Sequence, residues 1–172
     1  SGKTVIAVAA MYKAIKSGYQ AVYMAPTEIL AEQHFRNITK MLEPLGIKVG
    51  LLTGSLTASA KKKMRESVAN GEIQCVIGTH ALIQKGVTFH KAGIVITDEQ
   101  HRFGVRQRSM LSELSSVTPD ILVMTATPIP RTLALILYGD LDISTLDVLP
   151  MGRLPVKTYP ATGEMRSRVY NW

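Results

Sequence analysis

Four short runs in this chain are apolar without alternation: Ala21-Val22-Tyr23-Met24, Cys75-Val76-Ile77, Ile94-Val95-Ile96 and Ile121-Leu122-Val123-Met124. A strand with apolar side chains on both faces has no side to turn toward water, so it needs helices above and below it. That confines the chain to a parallel sheet covered on each side by helices. Val49–Leu52 is a fifth candidate strand and residues 143–147 a sixth, weaker one. Helical stripes fall between the runs. Ala31, Phe35, Ile38, Leu42 and Leu45 recur at intervals of four and three, which predicts one buried face with Thr27 as cap. Ala60, Met64 and Val68 predict a helix over residues 57–70 that Gly71 ends. Residues 3–16 are apolar on more than one side, the pattern of a helix deep in a structure. Strand and helix alternate, so the fold class is α/β with right-handed crossovers.

The chain has 172 residues, 46% of them apolar, enough for one domain with a sizeable core. Its formal charge of +7 favours a polyanionic partner, nucleic acid among the choices. A domain that is basic without such a partner fits the charge equally well. Cys75 is the only cysteine, so no internal disulfide can form; its apolar run makes it a core residue and fits a reducing compartment. No apolar stretch approaches the roughly 20 residues that span a membrane, and a cytoplasmic location is expected. The chain does not begin with Met and stops at Tyr170-Asn171-Trp172, which reads as an internal piece of a longer protein. One domain is expected over residues 1–148. Pro150, Gly152, Pro155 and Pro160 predict a linker over 149–163, and residues 164–172 the start of another unit.

Ser1-Gly2-Lys3-Thr4 is the back half of the phosphate-binding pattern G-x-x-x-x-G-K-[ST]. Gly2 lets backbone N–H groups approach phosphate oxygens. Lys3 brings positive charge to the β and γ phosphates, and Thr4 offers a hydroxyl to Mg²⁺. The helix that follows points its positive end at the same anion. The strand before this loop is expected mid-sheet, so that its absence leaves the edges of its neighbours open. A second half-site is Asp98-Glu99, directly after Ile94-Val95-Ile96-Thr97. Two acids at the end of a buried strand are costly unless a cation lies near. In phosphate-loop enzymes the first holds Mg²⁺ and the second polarises the attacking water. A solvated acidic turn is the plain alternative, but with Gly2-Lys3-Thr4 upstream the pair points to an ATP and Mg²⁺ pocket.

Further strings fall at the ends of the predicted strands: Ala25-Pro26-Thr27-Glu28-Ile29-Leu30-Ala31-Glu32-Gln33, Thr53-Gly54-Ser55, Gly78-Thr79-His80, Asp98-Glu99-Gln100-His101-Arg102-Phe103-Gly104, and Thr125-Ala126-Thr127-Pro128-Ile129-Pro130-Arg131-Thr132. The ordered set resembles the first motor domain of a superfamily 2 helicase. Over about residues 1–160 it resembles the RecG family of ATP-dependent DNA helicases. Transcription-repair coupling translocases are similar, but the DEQH spelling and Tyr138-Gly139-Asp140-Leu141-Asp142 favour RecG.

The resemblance implies a RecA-like sheet, that of the P-loop NTPases, here lacking its first strand. It implies that Gly2, Lys3 and Thr4 bind ATP, that Thr4 and Asp98 hold Mg²⁺, and that Glu99 orients or deprotonates water, with Lys3, Asp98 and Glu99 as the catalytic set. His101 would touch the nucleotide and couple it to Thr125, Thr127 and Arg131. Pro26, Thr27, Glu28, Gly54, Gly78 and Thr79 would line the DNA path, gripping phosphates without reading bases. Arg102 and Phe103 would report either on DNA or on the second lobe. The implied function is ATP-driven remodelling of branched DNA, such as forks and Holliday junctions, in recombination and repair. A second motor lobe and a wedge domain would complete the machine, and this chain alone is expected to hydrolyse ATP very poorly and unwind nothing.

Two other classes stand beside this reading. A small-molecule phosphate-loop kinase would share the fold but lacks the Thr-Ala-Thr-Pro and Gly-Thr-His strings. A DNA-binding module would hold DNA through its basic face with no ATP effect. Lys61-Lys62-Lys63 reads as solvated helix surface, because consecutive helical residues fan out by about 100° each. His34, His80, His90 and His101 show no close metal-ligand spacing.

Overall fold

The computed structural model describes residues 2–84, 86–98, 115–125, 142–146 and 162–165, with 158, 160, 169 and 170. Its elements run α1 (Lys3–Lys16), β1 (Gln20–Met24), α2 (Glu28–Leu42), β2 (Val49–Leu52), α3 (Ala58–Ala69), β3 (Cys75–Gly78), β4 (Ala92–Asp98) and β5 (Asp120–Met124), with 3-10 turns at Glu43–Leu45 and His80–Ile83. The five strands form one sheet in the order β2-β3-β1-β4-β5. Every neighbouring pair is parallel.

The runs apolar on both faces are all strands, and β1 and β3 are buried along their whole length. On one face α1 and α2 cover the sheet, packing Ala7, Met11, Ile15, Ile38 and Leu42 against Tyr23, Ile77 and Ile96. On the other, Val68 and Met64 of α3 join Leu82, Val87 and Phe89 against Val22, Val76 and Val95. The mid-sheet vacancy expected from the sequence does not occur. The five strands pair consecutively, and the open edges among the described residues are β2 and β5.

Three helical expectations need correction. Helix α1 has the predicted bounds but lies on the sheet rather than within a core. Ala7, Met11 and Ile15, spaced at four, are its buried face, whereas Val5 and Ile6 are 61% and 46% exposed. In α2, Ala31, Ile38 and Leu42 are buried and Phe35 partly so, but Leu45 is exposed. Pro44 has no N–H to continue the helix, so α2 stops at Leu42 and Leu45 falls in the 3-10 turn. Helix α3 is capped by Thr57, whose Oγ1 accepts from the Ala60 N–H at 3.2 Å, and Gly71 beyond its end has φ +80°. Its buried stripe is shorter than expected, because Ala60 is exposed.

The sixth strand expected at 143–147 is not one. Residues 142–146 form no regular element, and Ile143 and Leu146 are exposed, with Asp147 outside the described residues. Of the linker expected over 149–163 only residues 158, 160, 162 and 163 are described, and of the unit expected from 164 only 164, 165, 169 and 170, with a 3-10 turn at Gly163–Met165. No helix among the described residues is long and apolar enough to cross a membrane.

Cys75 is a core residue as read. Burial pushes its thiol up to about 12, and its Sγ faces Met11 Sδ at 3.8 Å. A protonated, covered thiol is a poor nucleophile. The folded chain should therefore stay silent toward a disulfide-exchange reagent and react with one equivalent once denatured. Native reactivity matching that of the denatured chain would contradict this packing.

Candidate active site

Strands β1 and β4 are parallel neighbours, with Met24 opposite Thr97, so their carboxyl ends emerge at one edge of the sheet. Open parallel sheets bind ligands outside that edge. Asp98 is the last residue of β4. Strand alternation puts it on the side of Ile96, which is the side covered by α1 and α2. Two donors meet one of its oxygens. Tyr23 of β1 donates its hydroxyl to Asp98 Oδ2 at 3.1 Å. His34 of α2 brings Nε2 to the same oxygen at 3.0 Å. The two rings are tilted against each other, with centroids 4.8 Å apart.

These neighbours hold the Asp98 carboxyl below the usual carboxylate range. The hydrogen bond from His34 contributes most, opposed by burial, and is joined by the Tyr23 hydrogen bond and the charge of Lys3. Asp98 is therefore an anion at neutral pH. Lys3, the first residue of α1, is the smallest of these influences. Gly2, at the start of α1, has φ +64°, a left-handed conformation that favours glycine. The first turn of α1 carries no acidic residue and no side-chain cap, a start that suits an anion. Thr4 is half-buried in that same turn.

The donor set fits a small hard cation with a triphosphate. Mg²⁺ takes one or two carboxylates and completes its shell with substrate phosphates and water. Asp98 offers an ionised carboxylate, and Thr4 a hydroxyl on the helix whose first residue, Lys3, acts on Asp98. Thr125 follows β5 directly, where Met124 is opposite Asp98. Glu99, His101, Thr127 and Arg131 lie outside the described residues, as do Arg102 and Phe103.

The residues assigned to a nucleic-acid path gather on the other half of the same edge. Gly54 follows β2, Gly78 ends β3 with Thr79 next after it, and Pro26, Thr27 and Glu28 follow β1; these strands are adjacent in that order. The strip is already cross-linked. Glu28 Oε1 accepts the Ser55 N–H at 3.1 Å, and Lys61 Nζ donates to the Gly54 carbonyl at 2.5 Å. Thr27 Oγ1 accepts from Leu30 N–H at 3.3 Å as the cap of α2, and Thr79 Oγ1 accepts from Ala81 N–H at 3.5 Å. Lys62 and Lys63 are exposed as expected, but Lys61 turns back to the Gly54 loop.

Sequence reading missed His34 and Tyr23. A signal for His34 existed: it falls three residues after Ala31 and four before Ile38, on the buried stripe of α2. A histidine on a buried stripe needs a polar partner, and Asp98 is that partner.

A model of the DEAD/DEAH box helicase family matches residues 1–136. The chain belongs to this family. This helicase domain is 52% identical over 172 residues to the ATP-dependent DNA helicase RecG of Streptococcus pneumoniae, and 53% identical over 171 residues to RecG of Aquifex aeolicus. It spans only 25% and 22% of the length of those relatives. A solved structure of RecG bound to a three-way DNA junction matches 99% of the chain with a TM-score of 0.82 at 44% identity, over 23% of that protein. The Mycobacterium smegmatis helicase Lhr, 15% identical with a TM-score of 0.57, shares the fold alone. The small-molecule kinase alternative falls away with the helicase match.

Proposed function

We propose that this chain is the ATP-binding lobe of a RecG-like DNA helicase that couples ATP hydrolysis to remodelling of branched DNA in the cytoplasm. The observation that supports this reading is Asp98 held as an anion by two donors at the carboxyl edge of the sheet, on the face that α1 and α2 cover. Bound magnesium would neutralise charge on the β and γ phosphates. Gly2, Lys3 and the first turn of α1 would cradle those phosphates, with Thr4 and Asp98 holding the cation. Glu99, next after Asp98, would hold the attacking water. His101, Thr125, Thr127 and Arg131 would pass the change in the nucleotide to the DNA track. Pro26, Thr27, Glu28, Gly54, Gly78 and Thr79 would grip the DNA backbone through hydroxyls and backbone groups. In this reading residues 1–148 are the lobe, 149–163 lead out of it, and a second lobe and wedge domain complete the protein.

The test compares the longer protein that contains this chain with the 172-residue chain itself. The longer protein should hydrolyse ATP faster when a three-way DNA junction is added, and the chain alone should not. Junction-stimulated hydrolysis by the chain alone, at the rate of the longer protein, would overturn the division of labour. A longer protein indifferent to DNA would overturn the helicase reading.

A further inference from the structure

We propose that His34 and Tyr23 are positioning residues for Asp98, clamping one carboxylate oxygen so that the other is presented to the magnesium ion. This rests on the reading of Asp98 as the magnesium carboxylate. Among the described residues, both hydrogen bonds to the carboxylate go to Oδ2. The terminal torsion of an aspartate is otherwise broad. Two donors on one oxygen, arriving from different elements, remove that freedom. Ligands of metals in proteins are commonly oriented by such outer hydrogen bonds, and losing one costs about 10- to 100-fold in metal affinity.

The clamp is itself held firmly. His34 and Asp98 side chains are 13% and 17% exposed, and Tyr23 is fully buried. Ala31 and Ile38, both fully buried, anchor α2 on either side of His34. The other ring nitrogen, Nδ1, is buried with no hydrogen-bond partner among the described residues. The polar contacts of this ring are thus made through Nε2, to Asp98 and, at 3.4 Å, to the Tyr23 hydroxyl. A donor buried this far from water is costly unless it is paired, and here the pairing falls on the carboxylate that the nucleotide site needs. Tyrosine and histidine can donate to Asp98 without bringing a competing negative charge.

The experiment measures Mn²⁺ binding by electron paramagnetic resonance, in the presence of a non-hydrolysable ATP analogue, on the longer protein containing this chain. Tyr23→Phe removes the hydroxyl and keeps the packed ring. His34→Ala removes the second donor, and His34→Gln restores an N–H near the same place. Mn²⁺ affinity should fall about 10- to 100-fold in His34→Ala, fall less in Tyr23→Phe, and recover in part in His34→Gln. Analogue binding without metal should stay near the parent value in all three. Asp98→Asn separates the two levels of inference. If it loses Mn²⁺ while Tyr23→Phe and His34→Ala keep parent affinity, the positioning role is wrong and the magnesium reading stands. If Asp98→Asn also keeps Mn²⁺, the magnesium reading fails and takes the clamp with it.

Discussion

Alanine at Gly78 is expected to destabilise this domain more than alanine at any other described glycine. A Cβ there would be driven into the backbone carbonyl oxygen of Leu52, with Leu82 Cγ at 2.9 Å on another side. Leu52 is the register partner of Gly78 across β2 and β3, and Met24 is its partner across β1. The strand cannot move away from one neighbour without pressing on the other. Backbone cannot rotate aside as a side chain can, so the cost belongs at the upper end of overpacking, about 3 kcal/mol. At a urea slope of about 2 kcal/mol/M that lowers the unfolding midpoint by roughly 1.5 M. Gly54→Ala is the internal contrast. Its added methyl would meet only Glu28 Oε1, at 2.7 Å, the tip of a flexible side chain. That variant should lose less than Gly78→Ala, its cost limited to the Glu28–Ser55 hydrogen bond that the displaced carboxylate gives up. Equal midpoints for Gly78→Ala and the parent would mean that β2 and β3 are not paired at this register. The contrast bears on function too. Of the small residues on the proposed DNA strip, Gly78 is demanded by the sheet backbone, whereas at Gly54 only the Glu28 side chain stands in the way.

The sheet was legible in the sequence because buried parallel strands do not alternate. Val22, Val76, Val95 and Leu122 each sit in a run with no polar face, and each is in a strand. Caps were legible for a different reason: Thr27 and Thr57 use their own hydroxyls three residues ahead, a purely local interaction. Local logic also explains the misreadings. Val5 and Ile6 count as apolar in any window, but only the angle at which α1 meets the sheet decides that Ala7, Met11 and Ile15 face inward. Sheet order was not legible at all, which is why a mid-sheet vacancy was expected. The same ignorance hid the clamp on Asp98. Tyr23 and Asp98 are 75 residues apart, and they meet only because β1 pairs with β4 in the register that sets Tyr23 beside Ile96. Lys3 and Asp98 can be linked in the sequence only by chemistry, the binding of a magnesium triphosphate, and not by any local pattern.

Replacing Lys3 with alanine is expected to weaken nucleotide binding about 10- to 100-fold while leaving the fold intact. Lys3 is only partly buried at the first position of α1, away from the stripe of Ala7, Met11 and Ile15, so the unfolding midpoint should stay at the parent value. In the proposed reading its ammonium is the charge that meets a triphosphate sharing the site with the Asp98 anion. A charge-assisted hydrogen bond of this kind contributes about 1.5–3 kcal/mol, which corresponds to roughly a 10- to 100-fold loss of affinity. Titration with a fluorescent ATP analogue in the presence of Mg²⁺ reads the loss directly. The result is open to one confusion, that removing Lys3 simply neutralises Asp98. The two hydrogen bonds on Asp98 argue against it. Lys3 is the last of the influences that lower the Asp98 carboxyl, behind the hydrogen bonds from His34 and Tyr23. Those bonds survive the substitution, so Asp98 stays ionised at neutral pH and the lost affinity reports the lysine's own hold on phosphate. An alanine variant that binds the analogue as the parent does would separate Lys3 from the phosphates, and with it the half-site at the start of α1 from the one at the end of β4.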